Sequence, residues 1–126
     1  MAGEPILIVD DNPLNMKLLS FLLAKRGYDV RCAADGEEAL ELLQKFRPTL
    51  ILMDMQMPGI DGFELTRRLK ADPATRGIVV IAVTAYAMKG DEQRVREAGC
   101  DGYLAKPIDT RLLPQVVASY ISDRTP

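Results

Sequence analysis

Polar and charged side chains in this sequence stand where apolar segments end, and their types suit a cation site with phosphate chemistry beside it. In chain order they are Asp10 and Asp11, Asp54, Thr84, and Lys106 with Pro107. The segments before the first three, 6–9, 50–53 and 78–83, are rich in leucine and β-branched residues, which is typical of strands buried on both faces. In an open parallel sheet such strand ends point into one crevice, where ligands bind. We therefore expect three carboxylates, a hydroxyl and an ammonium to converge there.

The three acids predict a metal site. Asp10 and Asp11 are adjacent at a strand end, and helix capping accounts for neither because Asn12 already occupies the cap position. Two carboxylates near Asp54 would repel it unless a proton or a cation neutralised the charge. Hard oxygen ligands suit Mg²⁺, which proteins usually hold with one or two carboxylates plus phosphate oxygens.

Lys106 and Thr84 are weaker signals when taken singly, because most lysines are solvated and threonine is a common strand residue. Pro107 nevertheless fixes the chain directly after Lys106, and an X-Pro bond in a tight connection is where a cis peptide can occur. An ammonium positioned beside a carboxylate cluster can pair with a phosphoryl oxygen as a point charge. The conjunction of these residues, rather than any one of them, indicates phosphate chemistry.

The composition predicts a single domain over 1–126 with no effector domain, large enough to bury a core without disulfide or metal support. The hydrophobic content of 48% and the charged content of 27% are ordinary for a globular protein. A net charge of -2 argues against nucleic-acid binding, and no apolar run approaches the roughly 20 residues of a membrane span. Residues 1–5 lack the features of a signal peptide, so we expect a cytoplasmic protein.

The sequence contains no histidine. A Ser-His-Asp triad, a histidine-ligated zinc site and a phosphohistidine on this chain are therefore excluded. Any phosphohistidine that takes part in the chemistry must belong to another protein. The two cysteines, Cys32 and Cys100, lack metal-ligand spacing and are predicted to be small buried or half-buried apolar residues.

Strand-like and helix-like segments alternate five times, which predicts an α/β fold with a parallel sheet and helices on both faces. The predicted strands are 5–9, 29–33, 49–53, 78–83 and 102–105, and the predicted helices are 13–26, 36–46, 62–71, 88–98 and 110–121. Asn12 with Pro13 predicts the first helix start, and Asp35 and Asp61 each begin a capping-box spacing.

Local patterns add three expectations. Segment 29–33 alternates polar and apolar residues, so we place it at a sheet edge. Pro114 lies inside the fifth predicted helix, where proline removes a backbone hydrogen bond, so we expect a kink or a late helix start. Apolar residues recur at helical spacing in the first predicted helix and are expected to face the core: Leu14, Leu18, Phe21 and Leu22.

The motifs resemble those of the receiver domain of two-component response regulators, the CheY-like family, over essentially the whole chain. The matching stretches are Asp10-Asp11, LILMDMQMPGIDG at 50–62, VTAYA at 83–87 and YLAKPI at 103–108. The resemblance implies a flavodoxin-like, CheY-like doubly wound fold with five strands in the order 2-1-3-4-5. In that order Cys32 and Cys100 lie near opposite sheet edges, too far apart for an intramolecular disulfide.

The resemblance also implies a role for each site residue. Asp54 would be the phosphoacceptor, taking a phosphoryl group from a phosphohistidine on a sensor histidine kinase or a histidine phosphotransfer protein. Asp11, Asp54 and the backbone carbonyl of Gln56 would bind Mg²⁺, with Asp10 acting mostly through a water. Lys106 would pair with the phosphoryl group through a loop whose bond to Pro107 is cis.

The same resemblance implies a switch. Thr84 would hydrogen-bond the phosphoryl oxygen, and Tyr103 would then turn inward and change the surface of the fourth helix, fifth strand and fifth helix. From the sequence alone, a tyrosine at position 103 is explained equally well as a half-buried aromatic side chain with a solvent-exposed hydroxyl. Gln56 and Tyr86 would tune the phosphorylated lifetime, with the aromatic ring hindering attacking water. The output would pass to a protein target, from a monomer or a weak dimer.

Four alternatives stay open at this point. A haloacid-dehalogenase-type phosphohydrolase also uses a strand-end aspartate and a lysine, but it needs a second acid where this chain has Gln56. A flavodoxin-like cofactor binder would need a glycine-rich or hydroxyl-rich loop after the first strand, and a receiver without phosphorylation would be expected to lack a site residue. The motifs are also typical of receivers fused to hybrid histidine kinases, although we favour a stand-alone regulator.

Overall fold

Five strands and five helices alternate along the chain in the computed structural model, which describes residues 3–57, 59–85 and 89–122. The strands are β1 (Pro5–Val9), β2 (Asp29–Ala33), β3 (Leu50–Asp54), β4 (Val79–Thr84) and β5 (Gly102–Ala105). The helices are α1 (Pro13–Ala24), α2 (Gly36–Leu42), α3 (Gly62–Ala71), α4 (Lys89–Ala98) and α5 (Leu113–Ser122). The predicted alternation is confirmed, and boundary differences arise mainly where helix ends become turns.

The strands form one parallel sheet in the order β2-β1-β3-β4-β5, as the resemblance implied. β3 and β4 are buried along their whole lengths, whereas β2 alternates between exposed and buried positions at one edge. Continuous apolar runs therefore mark the interior strands and an alternating run marks an edge. Because all five strands run in the same direction, their carboxyl ends form one rim of the sheet.

Helix starts follow the predicted capping signals. The Asn12 side chain accepts hydrogen bonds from the backbone N–H groups of Leu14 and Asn15, and Pro13 is the first helical residue of α1. The carboxylates of Asp35 and Asp61 cap α2 and α3 in the same way, each at 2.8 Å from a backbone nitrogen three residues later. These caps fix the distance between each strand end and the helix that follows it.

Pro114 produces a late helix start rather than a kink. α5 begins at Leu113, so the proline occupies its second position. The first N–H groups of a helix have no intrahelical acceptor, and a proline there removes no helical hydrogen bond. The preceding residues form a turn in which Leu112 and Leu113 donate backbone hydrogen bonds to Asp109.

Two apolar clusters, one on each face of the sheet, form the core. The expectation for α1 was wrong in three of its four positions: Leu14, Leu18 and Phe21 are 79%, 45% and 63% exposed, and Leu22 is half-buried. The side chains of α1 that are buried are Leu19 and Leu23, with Met16 partly buried beside them. α1 carries apolar residues around most of its circumference, so spacing alone did not identify the inward face.

The two cysteines lie apart, as the strand order requires. Cys32 is in the edge strand β2, Cys100 lies two residues before β5 at the opposite edge, and both are free thiols. Within the described ranges no helix has the length and apolar character needed to cross a membrane.

Candidate functional site

Three acidic side chains meet at the carboxyl ends of β1 and β3. Carboxylate oxygens of Asp10, Asp11 and Asp54 all lie within 4.8 Å of one another. Asp10 and Asp54 are buried, whereas Asp11 is exposed at the mouth of the cluster. The convergence predicted from the strand ends is therefore present, and it concentrates negative charge at one point on the rim.

Asp10 is oriented by the first turn of α1. One carboxylate oxygen accepts a hydrogen bond from the backbone N–H of Asn12 at 2.8 Å, and the other accepts one from Asn15 Nδ2 at 2.7 Å. Our statement that capping accounts for neither acid therefore needs correction for Asp10, which helps to shape the turn. The sequence analysis also missed Asn15, whose only signal was a polar side chain on the first turn of a helix beginning at the site.

Asp54 is the most strongly perturbed acid of the site. It is 1% exposed, and its Oδ1 accepts a hydrogen bond from the backbone N–H of Gln56 at 3.0 Å. Oδ2 is buried and accepts no hydrogen bond from the described residues, although the Lys106 ammonium lies 3.4 Å away. Burial raises the pKa of Asp54 to about 6, while the Gln56 N–H and the Lys106 charge act in the opposite direction.

α3 approaches the acids closely because residue 62 is a glycine. A Cβ at Gly62 would lie 2.5 Å from the backbone carbonyl oxygen of Asp54 and 2.8 Å from Met55 Cα. Such distances are shorter than real contacts permit, so a larger side chain would push the helix away from β3. The position of Asp54 thus depends on backbone packing beneath it.

Thr84 lies at the end of β4, next to the end of β3. It is buried, and its Oγ1 is 3.0 Å from Gln56 Nε2. The Gln56 side chain also accepts a hydrogen bond from the backbone N–H of Ala85 at 3.2 Å. One glutamine side chain therefore connects the loop after β3 to the end of β4.

Lys106 follows β5 and reaches back across the rim. Its ammonium is 3.4 Å from Asp54 Oδ2, its backbone N–H donates to the Thr84 carbonyl at 2.8 Å, and its bond to Pro107 is cis. Tyr103 is half-buried in β5, where it pairs in register with Ala82 and packs against one apolar cluster.

Tyr103 also lines a groove of about 220 Å³ between α4, β5 and α5. Tyr86, which together with Gln56 was expected to tune the phosphorylated lifetime, lies outside the described residues.

The donor set fits a hard divalent cation. Mg²⁺ prefers oxygen ligands and keeps several waters, and this rim offers three carboxylates, one of which contains a buried oxygen that accepts no hydrogen bond from the described residues. A cation near these oxygens would offset the burial that otherwise disfavours the ionised form of Asp54.

Comparison with known proteins identifies the class to which this fold and site belong. A family model described as the response regulator receiver domain matches residues 6–118. The chain therefore belongs to the response regulator receiver domain family.

Among curated relatives, the polar-differentiation response regulator DivK of Brucella anthropi is 48% identical over 120 residues, covering 95% of this chain and 98% of that protein.

Solved structures give the same result. The receiver domain of a signal transduction histidine kinase from Syntrophus aciditrophicus has a TM-score of 0.90 and 36% identity, covering 98% of this chain and 96% of that one. The receiver domain of a sensor histidine kinase from Pseudomonas aeruginosa has a TM-score of 0.87 and 37% identity, covering 96% and 99%, with magnesium coordinated in its active-site cleft. Neither the phosphohydrolase nor the cofactor-binding alternative is favoured by these matches.

Proposed function

We propose that this chain is a DivK-like phosphorelay response regulator in which Asp54 accepts a phosphoryl group from a phosphohistidine of a partner protein. The observation that carries the proposal is the meeting of Asp54 with two further acids and the Lys106 ammonium at one rim. Phosphoryl transfer requires placement and charge neutralisation more than covalent work by the protein. The sequence contains no histidine, so the phosphodonor is a second molecule.

Asp11, Asp54 and the backbone carbonyl of Gln56 would hold Mg²⁺, with Asp10 contributing through a water. The two hydrogen bonds that already occupy the Asp10 oxygens support an indirect role for that residue. When bound, the cation supplies positive charge against the negative charge that develops on the phosphoryl oxygens.

The chain's own groups then carry the transfer. A carboxylate oxygen of Asp54 attacks phosphorus, the phosphorus–nitrogen bond of the phosphohistidine breaks, and the electron pair returns to the imidazole. The Lys106 ammonium pairs with a phosphoryl oxygen, and the Thr84 hydroxyl donates to another. Water later attacks phosphorus, which releases inorganic phosphate and restores the carboxylate.

The output of the reaction is a change in the protein's own surface. Thr84 and Tyr103 would shift the surface formed by α4, β5 and α5 between two arrangements, and a protein target would recognise one of them. In this proposal the chain acts in the cytoplasm as a monomer or weak dimer. It catalyses only its own phosphorylation and dephosphorylation, and it contacts neither nucleic acid nor membrane.

Incubation with Mg²⁺ and acetyl phosphate tests the acceptor. Intact-mass measurement should find one added phosphoryl group on the wild type and none on Asp54→Asn, because the amide is a far weaker nucleophile than the carboxylate. Asp72→Asn makes the same chemical change at an exposed turn and should be labelled like the wild type. Chelation of Mg²⁺ should prevent labelling.

Two outcomes would overturn the proposal. Equal labelling of Asp54→Asn would show that the acceptor is elsewhere. Repeated turnover of a simple phosphomonoester, with release of many phosphates per chain, would indicate a hydrolase instead of a receiver.

A further inference from the structure

Gln56 has a carboxamide whose orientation is fixed by its surroundings. The backbone N–H of Ala85 can only donate, and it lies 3.2 Å from one terminal atom of the Gln56 side chain. That atom must therefore be the carbonyl oxygen Oε1. The other terminal atom is the amide nitrogen Nε2, and it faces Thr84 Oγ1 at 3.0 Å.

This orientation determines what the Thr84 hydroxyl does. An amide NH₂ group has no acceptor capacity, so Thr84 Oγ1 is the acceptor in its contact with Gln56. The hydroxyl hydrogen must then point toward a different acceptor. A hydroxyl whose lone pair is already engaged is also a better donor, because hydrogen bonds in a chain polarise one another.

We propose that Gln56 is a positioning residue that sets the Thr84 hydroxyl as a donor toward the phosphoryl group. The inference rests on the proposed function, and it assigns the Gln56 side chain a task separate from the lifetime tuning implied by the resemblance. The connection is long-range, since 28 residues separate Gln56 from Thr84. Through Ala85 the same side chain also holds the first residue after β4.

Two substitutions separate the two hydrogen bonds of Gln56. Gln56→Glu is nearly isosteric and keeps an oxygen for the Ala85 N–H, but a carboxylate cannot donate to Thr84 and instead attracts the hydroxyl hydrogen. Gln56→Met is similar in length and neutral, and it removes both hydrogen bonds. Thr84→Val replaces the hydroxyl with a methyl group at nearly constant volume and serves as the background in which the effect of Gln56 should disappear.

The first measurement is the affinity of each variant for beryllium trifluoride, a stable mimic of the phosphoryl group. It is determined by NMR titration in the presence of Mg²⁺. We expect Gln56→Met to weaken binding about threefold, the size of one neutral hydrogen bond, and Gln56→Glu about tenfold, the size of one hydrogen bond to a charged group, because the carboxylate draws the hydroxyl hydrogen away from the mimic. In the Thr84→Val background Gln56→Met should change the affinity less than about twofold. Equal losses in both backgrounds would overturn the inference, because Gln56 would then act without the hydroxyl.

The second measurement needs no ligand. Hydrogen exchange of the Ala85 amide should be faster in Gln56→Met than in the wild type, and unchanged in Gln56→Glu, which keeps the acceptor. Unchanged exchange in Gln56→Met would overturn the carboxamide orientation. A wild-type protein that did not bind the mimic would contradict the proposed function instead, so the two failures are distinguishable.

Discussion

Two halves of the rim hold their functional groups in different ways. The acid half consists of Asp10, Asp11 and Asp54 at the ends of β1 and β3, and the switch half consists of Thr84, Tyr103 and Lys106 in or directly after β4 and β5. In the acid half, the hydrogen bonds that Asp10 and Asp54 accept from the described residues come from at most five positions away. In the switch half, Thr84 is held by a side chain 28 residues earlier in the sequence, and Lys106 pairs with Asp54.

The glycines show the same difference. Gly62 brings α3 against the backbone of Asp54 and Met55, whereas Gly102 brings β5 against the hydroxyl of Tyr120, the far end of a side chain. Backbone contacts cannot adjust without moving a strand, and side-chain ends can rotate. The acids are therefore fixed in place, and the groups proposed to respond to a phosphoryl group lie in the half where side-chain contacts can rearrange.

The largest expected effect tests this rigidity. Gly62→Ala should lower the free energy of unfolding by about 3 kcal/mol, because the new Cβ would lie 2.5 Å from the Asp54 carbonyl oxygen. Gly102→Ala is the matched control in the switch half, where the Tyr120 hydroxyl can move, and should cost about 1 kcal/mol or less. Urea unfolding measures both.

Tyr120→Phe should rescue Gly102→Ala in part, since it removes the hydroxyl oxygen at 2.6 Å from the new Cβ but keeps the ring carbon Cζ at 2.8 Å. Similar losses for the two glycine variants would show that both halves are equally rigid.

A somewhat smaller effect comes from the buried charge of the acid half. The pKa of Asp54 is about 6 in the folded protein against an ordinary value of 3.8, so the folded state binds more protons than the unfolded state between these pH values. The free energy of unfolding therefore falls as the pH rises through this window, because Asp54 has to ionise while it is buried. Without Mg²⁺, Asp54→Asn should gain about 2 kcal/mol relative to wild type on going from pH 4 to pH 7.

Thermal or urea unfolding in a chelator at the two pH values gives the difference directly. A gap between the two proteins that stays constant with pH would mean that burial does not raise the pKa. Addition of Mg²⁺ at pH 7 should stabilise the wild type more than the variant, since a ligand of the native state adds to its stability.

The smallest effect concerns α1, which orients Asp10 through Asn15. Leu18→Ala should change the free energy of unfolding by less than about 0.5 kcal/mol, because Leu18 faces solvent. Leu19→Ala, at the neighbouring position with 1% exposure, should cost about 2–5 kcal/mol. A large loss for Leu18→Ala would mean that the Leu18 face of α1 is packed against other residues. The acid half would then depend on contacts beyond the first turn of α1.

Much of the fold could be predicted because its signals are local. Apolar runs gave β3 and β4, the alternating pattern gave the edge strand β2, and capping residues gave the starts of α1, α2 and α3. The strand order came from the resemblance instead. The inward face of α1 was mispredicted because overlapping apolar stripes satisfy the same spacing, and only the position of the helix over the sheet selects Leu19 and Leu23.

For the site, the sequence predicted which acids converge, since parallel strands share a rim. It could not predict the contact between Gln56 and Thr84, which depends on the rotamer of a side chain far away in sequence. Nor could it predict the pKa of Asp54, which depends on how completely the folded chain excludes water.

The strand order has a consequence for how the chain is made. β1 pairs with β2 and β3, β4 is then added beside β3 and β5 beside β4, so no strand has to insert between two that have already paired. Domains generally fold as units, and in this one each strand can join an open edge of the sheet without displacing a strand that is already paired. All three acids have been translated once residue 54 is complete, whereas the lysine that pairs with Asp54 is added 52 residues later, at 106.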